Sequence, residues 1–172
     1  MEQYQNIVVE REGALAYVAI NLPEKRNPLS VTTLSEMRQA LEVLENDPDC
    51  QCVIFTGKGD KSFAAGADIS KLRDRIPTDV LNKQGMQQTY DYIANYPKPT
   101  IAMINGFALG GGCELAMSCD IRIAAKNAKL GLPELNLGII PSAGGTQRMS
   151  RLIGLSRATE LILTGRIISA DE

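Results

Sequence analysis

Thr100-Ile101-Ala102-Met103-Ile104-Asn105-Gly106-Phe107-Ala108-Leu109-Gly110-Gly111-Gly112-Cys113-Glu114 carries a strand, a turn and a helix start in one short stretch. Thr100–Ile104 reads as a strand. Asn105-Gly106 is a turn dipeptide. A helix beginning near Gly111 carries Glu114, Leu115 and Met117. Glycines at a helix start let a ligand come close to the backbone. The first N–H groups of a helix have no internal partner, and the helix dipole makes that end positive. Such an end is a good oxyanion donor, with one hydrogen bond worth roughly 3–4 kcal/mol in a transition state. A glycine run reads equally well as close packing of helix on sheet.

Working outward, strands and helices alternate. Ile7–Glu10 and Ala14–Leu22 read as a hairpin separated by Arg11, Glu12 and Gly13. Val31, Leu34, Met37, Leu41 and Leu44 recur at helical spacing behind a capping Ser30, and Asn46-Asp47-Pro48-Asp49 stops that helix. Cys52–Thr56 is a short strand running into a turn at Gly57–Asp60. A helix is predicted from Thr78 to about Asn95, closed by Pro97 and Pro99. Asp120–Ala124 is a further strand with Ile121 and Ile123 on one face. Ser156–Thr164 is a helix with Ser156 and Gly165 as its caps. The expected fold class is α/β with a mostly parallel sheet.

The bulk properties narrow the chemistry. With 172 residues, 44% apolar and 22% charged, the chain suits one globular domain with a substantial core. A net charge of −2 without a basic block gives nucleic-acid binding no support. The N-terminus lacks a basic segment followed by an apolar run, and no stretch approaches a membrane span. Cys50, Cys52, Cys113 and Cys119 match no spaced ligand set and there is no histidine, so no metal site is expected and a reduced, cytoplasmic protein is. The missing histidine excludes Ser-His-Asp and Cys-His mechanisms within this chain. Proton transfer near neutral pH must then use carboxylates, lysine, tyrosine or cysteine.

Competing glycine motifs fail. The chain has neither GxxxxGK[ST] nor GxGxxG here, and Ile140-Pro141-Ser142-Ala143-Gly144 lacks the first glycine of a nucleophile elbow. A second small-residue loop, Phe63-Ala64-Ala65-Gly66-Ala67-Asp68-Ile69, follows the Cys52–Thr56 strand. Its backbone is accessible to a flat ligand or a reacting carbonyl, at the strand end where α/β proteins place ligands. It reads also as a plain turn. Glu114 and Glu134 are 20 positions apart. One continuous helix would hold them ~30 Å apart at about 1.5 Å per residue, but the Asp120–Ala124 strand breaks it and lets the chain double back. Glu134 lies in the apolar segment Gly131–Gly138, which makes it a candidate for a raised pKa and acid–base work. Its other reading is an exposed glutamate at a turn.

Phe63–Ile69, Asn105–Asp120 and Gly131–Arg148 together closely resemble the crotonase, or enoyl-CoA hydratase, superfamily, and the resemblance runs from the N-terminal hairpin to Glu172. It implies a β-β-α spiral over residues 1–172. It implies that the backbone N–H groups of Ala67 and Gly111 form an oxyanion hole for a thioester carbonyl. Ala64, Ala65 and Gly66, with Asp68 and Ile69 after them, would lie along the coenzyme A pocket. Lys25 and Arg26 sit in the loop that in relatives approaches the CoA phosphates; they read equally as a solvated surface pair. Glu114 and Glu134 match the family's two catalytic glutamates, Glu114 as the base on water and Glu134 as the acid toward the α-carbon. The expected activity is hydration of 2-enoyl-CoA thioesters, with coenzyme A as part of the substrate and no separate cofactor. Other activities of the superfamily (isomerase, decarboxylase, thioester hydrolase) or non-catalytic acyl-CoA binding are the alternatives.

Two residues depart from the family pattern. Ser142 stands where many relatives have glycine, and Leu132 where many hydratases have glutamine. Ser169-Ala170-Asp171-Glu172 fits a capping box, which normally opens a helix. The expectation is therefore a core lacking the family's C-terminal helical trimerisation segment, with a homotrimer or hexamer formed by the full-length protein.

Overall fold

The computed structural model describes residues 4–67 and 85–172. The N-terminal hairpin pairs β1 (Ile7–Glu12) with β2 (Leu15–Ile20), in register from Ile7 opposite Ile20 to Glu12 opposite Leu15. Arg11 and Glu12 thus extend the strand instead of forming the turn. The bend falls on Gly13, whose φ of 56° suits glycine.

From β2 onward the large sheet is parallel: β3 (Cys52–Gly57) joins β2, β5 (Thr100–Ile104) joins β3, and β7 (Ile121–Ala124) joins β5. A second sheet grows beside it. β4 (Ser62–Ala64), β6 (Phe107–Leu109) and β8 (Lys129–Gly131) pair in parallel, and β9 (Ile168–Ser169) closes that sheet antiparallel to β8. Each turn of the chain therefore lays one strand in the large sheet and the next in the small one. The turns come back through α2 (Met86–Ala94), α3 (Gly111–Ser118) and α4 (Gly145–Ile153). This is the β-β-α spiral.

The helix α1 (Val31–Glu45) forms as its pattern predicts. Ser30 Oγ accepts the Thr33 N–H at 3.1 Å, and Leu34, Met37, Leu41 and Leu44 are buried, whereas Val31 in the first turn is exposed. Phe55, Phe63, Tyr90, Ile104 and Leu115 lie in the same core. The β7 residues Ile121 and Ile123 share a face, but it is the open one: each is more than half exposed. The strand start is stapled instead by Asp120, whose Oδ2 accepts both the Thr100 N–H and its hydroxyl at 2.8 Å.

Two end signals work differently from their sequence reading. The helix α5 (Leu155–Thr164) starts one residue before Ser156, with Gly154 at its N-cap, and Ser156 makes no cap bond. Its C-terminal glycine is as expected: Gly165 has φ 63° and its N–H donates to Leu161 O. The capping-box residues do not cap either. Ser169 is in β9, and the Glu172 carboxylate accepts from Arg166 Nη1 and Nη2. The charged partner outcompetes the local backbone N–H.

Candidate active site

The site begins at the end of β6. Gly110 has φ 55° and ψ −124°, a conformation that needs glycine, and its N–H donates to Gly131 O at 2.9 Å. Helix α3 then opens at Gly111 without a side-chain cap. The three glycines divide the two uses of a glycine run. Gly112 is packing: a methyl group there would overlap the Ala64 carbonyl of β4. Gly111 instead borders a cavity, where a methyl would stand 2.6 Å from Met86 Sδ.

The loop after β4 lies against this helix start. Gly66 has φ 90°, and a methyl on it would be 2.9 Å from Leu109 O and 3.6 Å from the Gly111 nitrogen. The loop is strapped from behind by two backbone bonds, Ala65 N–H to Arg26 O at 3.1 Å and Leu29 N–H to Gly66 O at 2.9 Å. Leu29 and Ala67 form an isolated parallel bridge. The strap itself holds its shape through Asn27, fully buried at φ 54°. Its side chain accepts the Leu22 N–H and donates to the Lys58 and Ser62 carbonyls.

Glu114 sits in the first turn of α3 and is 2% exposed. Its Oε1 accepts the Ala143 N–H at 2.9 Å and the Gly145 N–H at 2.8 Å. Burial pushes its pKa up, while those two amides and the Arg148 guanidinium pull against the rise. Gly145 has to be small: a methyl there would be 2.8 Å from Glu114 Oε1. Glu134 comes from a 3₁₀ turn, Pro133–Leu137, that follows β8. It is half-buried, and among the described residues its Oε2 is buried without a hydrogen-bond partner. Burial pushes its pKa up to about 7, and the nearby Glu114 charge adds to the rise. Its Oε1 would be 3.2 Å from a methyl on Gly110, so the carboxyl group lies beside the helix start.

These pieces line one cavity of about 260 Å³. Ala65, Gly66 and Ala67 form one side, Gly110 and Gly111 another, and Glu114 and Glu134 both contribute. Met86, Leu109, Leu137, Ile139 and Ile140 make the wall largely apolar, and Ser142 adds a hydroxyl. Six residues singled out from the sequence thus meet: Ala65, Gly66, Ala67, Gly111, Glu114 and Glu134. Ala64 is fully buried behind the wall, and Lys25 is an exposed residue of the 3₁₀ turn Pro23–Lys25, outside the lining. Asp68 and Ile69 lie outside the described residues. Among the described residues no three His, Cys, Asp or Glu side chains are grouped to hold a metal ion, and no helix is long and apolar enough to cross a membrane. All four cysteines are free.

Sequence reasoning missed Met86, Tyr90 and the amides of Ala143 and Gly145. The first two share a face of α2 at i, i+4 spacing, a signal that reads simply as core. Backbone donors carry no residue-type signal at all.

Residues 10–172 match the family model described as enoyl-CoA hydratase/isomerase. The chain belongs to the enoyl-CoA hydratase/isomerase family. Among its relatives, a short-chain-enoyl-CoA hydratase of Clostridium acetobutylicum is 49% identical over 172 residues, covering 99% of this chain and 66% of that protein. A crotonyl-CoA hydratase of Syntrophomonas wolfei is 48% identical over 170 residues, covering 98% of this chain and 65% of that protein. The crystal structure of an enoyl-CoA hydratase from Bacillus anthracis superposes with a TM-score of 0.91 at 44% identity, covering 97% of this chain and 66% of that one. The chain thus spans just under two thirds of the length of these family members.

Proposed function

We propose that this chain carries the catalytic centre of an enoyl-CoA hydratase, adding water across the double bond of a 2-enoyl-CoA thioester. The observation that carries the proposal is the pair Glu114 and Glu134 in one largely apolar cavity, in two different hydrogen-bonding environments. Glu114 has an oxygen fixed by two amides, which favour its ionised form. Glu134 has a buried oxygen without a partner among the described residues and a pKa of about 7, so it holds a proton in much of the population at neutral pH. These environments fit Glu114 as the base and Glu134 as the acid.

In this mechanism the thioester carbonyl oxygen sits at the N–H groups of Ala67 and Gly111. Glu114 takes a proton from water as the water oxygen bonds to the β-carbon. The C=C electron pair moves to the α-carbon and onto the carbonyl oxygen, giving an enolate stabilised by the two amides and the α3 dipole. Glu134 gives its proton to the α-carbon. The product is the 3-hydroxyacyl-CoA, and the proton gained by Glu114 matches the one lost by Glu134. No separate cofactor takes part, since coenzyme A belongs to the substrate. The family resemblance supports a homotrimer or dimer of trimers as the working assembly. The four free cysteines support a reducing, cytoplasmic setting.

Loss of the enoyl absorbance of crotonyl-CoA tests the proposal. The protein should consume the enoyl band, and Glu114→Gln and Glu134→Gln should each slow it by about 10²–10⁴-fold. Equal rates in all three proteins would sink the assignment.

A further inference from the structure

The peptide plane that joins Gly110 to Gly111 presents the Gly111 N–H at the cavity edge. Its carbonyl end is tied, because Gly110 O accepts the Glu114 N–H at 3.0 Å. The plane before it is tied by Gly110 N–H to Gly131 O at 2.9 Å. The plane after it, between Gly111 and Gly112, is tied from another element: Tyr90 Oη donates to Gly111 O at 2.8 Å. A run of three glycines has no side chains to limit its own φ and ψ. Anchors from outside therefore set the direction of its amides. Tyr90 is fully buried, and burial keeps its phenol protonated and a donor. Met86, one turn earlier on α2, lines the cavity beside Gly111, with Sδ 2.6 Å from where a methyl on that residue would be.

We propose that Tyr90 is a positioning residue that aims the Gly111 amide at the thioester oxygen, a proposal that rests on Gly111 being an oxyanion donor. It does not touch substrate. It acts by fixing the plane next to the donor plane, so that the donor does not reorient as charge develops on the oxygen. A hydroxyl that merely filled space would leave the donor direction unchanged when removed.

The test uses a conjugated thioester, a para-amino-cinnamoyl-CoA, whose absorption band moves to longer wavelength as its carbonyl is polarised. Bound to the wild-type chain, the band should move to the red. With Tyr90→Phe at saturating ligand the shift should shrink. With crotonyl-CoA, kcat should fall about tenfold while KM stays within about twofold, as expected for a donor misaligned mainly in the transition state. Should Tyr90→Phe not fold, 3-fluorotyrosine placed at position 90 keeps the size and makes a stronger donor, and its red shift should match or exceed that of wild type. A full-sized shift and unchanged kcat in Tyr90→Phe, or a fluorotyrosine shift below that of wild type, would overturn the role of Tyr90 alone. A wild-type protein that binds the probe without any red shift would overturn Gly111 as donor, and Tyr90 with it.

Discussion

Helices α1 and α3 begin in opposite ways. At α1, Ser30 Oγ accepts the Thr33 N–H, and its hydroxyl lies 2.9 Å from Thr33 Oγ1 and 3.3 Å from Asn6 Nδ2. The carboxylate of Glu36, one turn further on, accepts the Gln5 and Asn6 N–H groups, one on each oxygen. That helix start is closed within the protein. At α3 the N-cap is Gly110, and among the described residues no side chain caps the turn and the nearby Glu134 leaves a buried oxygen without a partner. Polar capacity that is satisfied internally builds a fold; polar capacity left over beside a cavity is available to a ligand.

The sharpest way to break this contrast is through the packing of α3. In Gly112→Ala the new methyl would overlap the Ala64 carbonyl oxygen and lie 2.9 Å from the Ala64 Cβ. Both belong to a fully buried strand residue with no room to move. The loss of stability should reach about 3 kcal/mol, the upper end for overpacking, and chemical denaturation would measure it. A change within about 0.5 kcal/mol, the range of neutral surface substitutions, would mean that α3 does not depend on close approach to β4.

The same contrast explains what was legible in the sequence. The start of α1 was readable because Ser30 and a stripe of Leu, Met and Leu are residue-type signals. The parallel strands β3, β5 and β7 were readable for the same reason, as apolar runs between turns. The small sheet was not. Ser62–Ala64, Phe107–Leu109 and Lys129–Gly131 are three residues each, too short to show a period of two. Helix α4 was missed because its N-terminal residues are Gly144, at φ 96°, and Gly145, which read as loop. In the site, Glu114, Glu134 and the two small-residue loops could be picked out by type, and the family resemblance then joined them. Ser142 enters the cavity wall. The supporting partners stayed hidden: the Tyr90 hydroxyl, which looks like core, and the amides of Ala143 and Gly145, which any residue could supply.

At α1 the expected effect is smaller and confined to the fold. Ser30→Ala removes the acceptor for the Thr33 N–H and should lower stability by about 1 kcal/mol. Because Ser30 lies outside the cavity lining, kcat/KM for the enoyl thioester should stay at the wild-type level. A parallel loss of activity would show that the α1 start and the strap at Arg26–Leu29 act as one unit with the Gly66 loop.

The mildest change sits at the open end and has the opposite sign. Glu134 has a folded pKa of about 7 against the ordinary glutamate value of 4.5, so between these pH values the folded state binds more protons than the unfolded state. Its contribution to stability is therefore fully present below about 4.5 and is lost as pH rises through about 7. Glu134→Gln carries no titrating charge and should escape that loss. The variant should melt at the wild-type temperature at pH 4 and above it at pH 8, while its hydration rate falls at both. This trade would set Glu134 apart from Glu36, whose two oxygens are both satisfied by backbone N–H groups. Melting curves at the two pH values decide it. A gap of equal size at both would place the benefit in packing and not in the charge. A lower melting temperature at pH 8 would show that the Glu134 carboxylate has a partner after all, and that the open end of α3 is closed as fully as the start of α1.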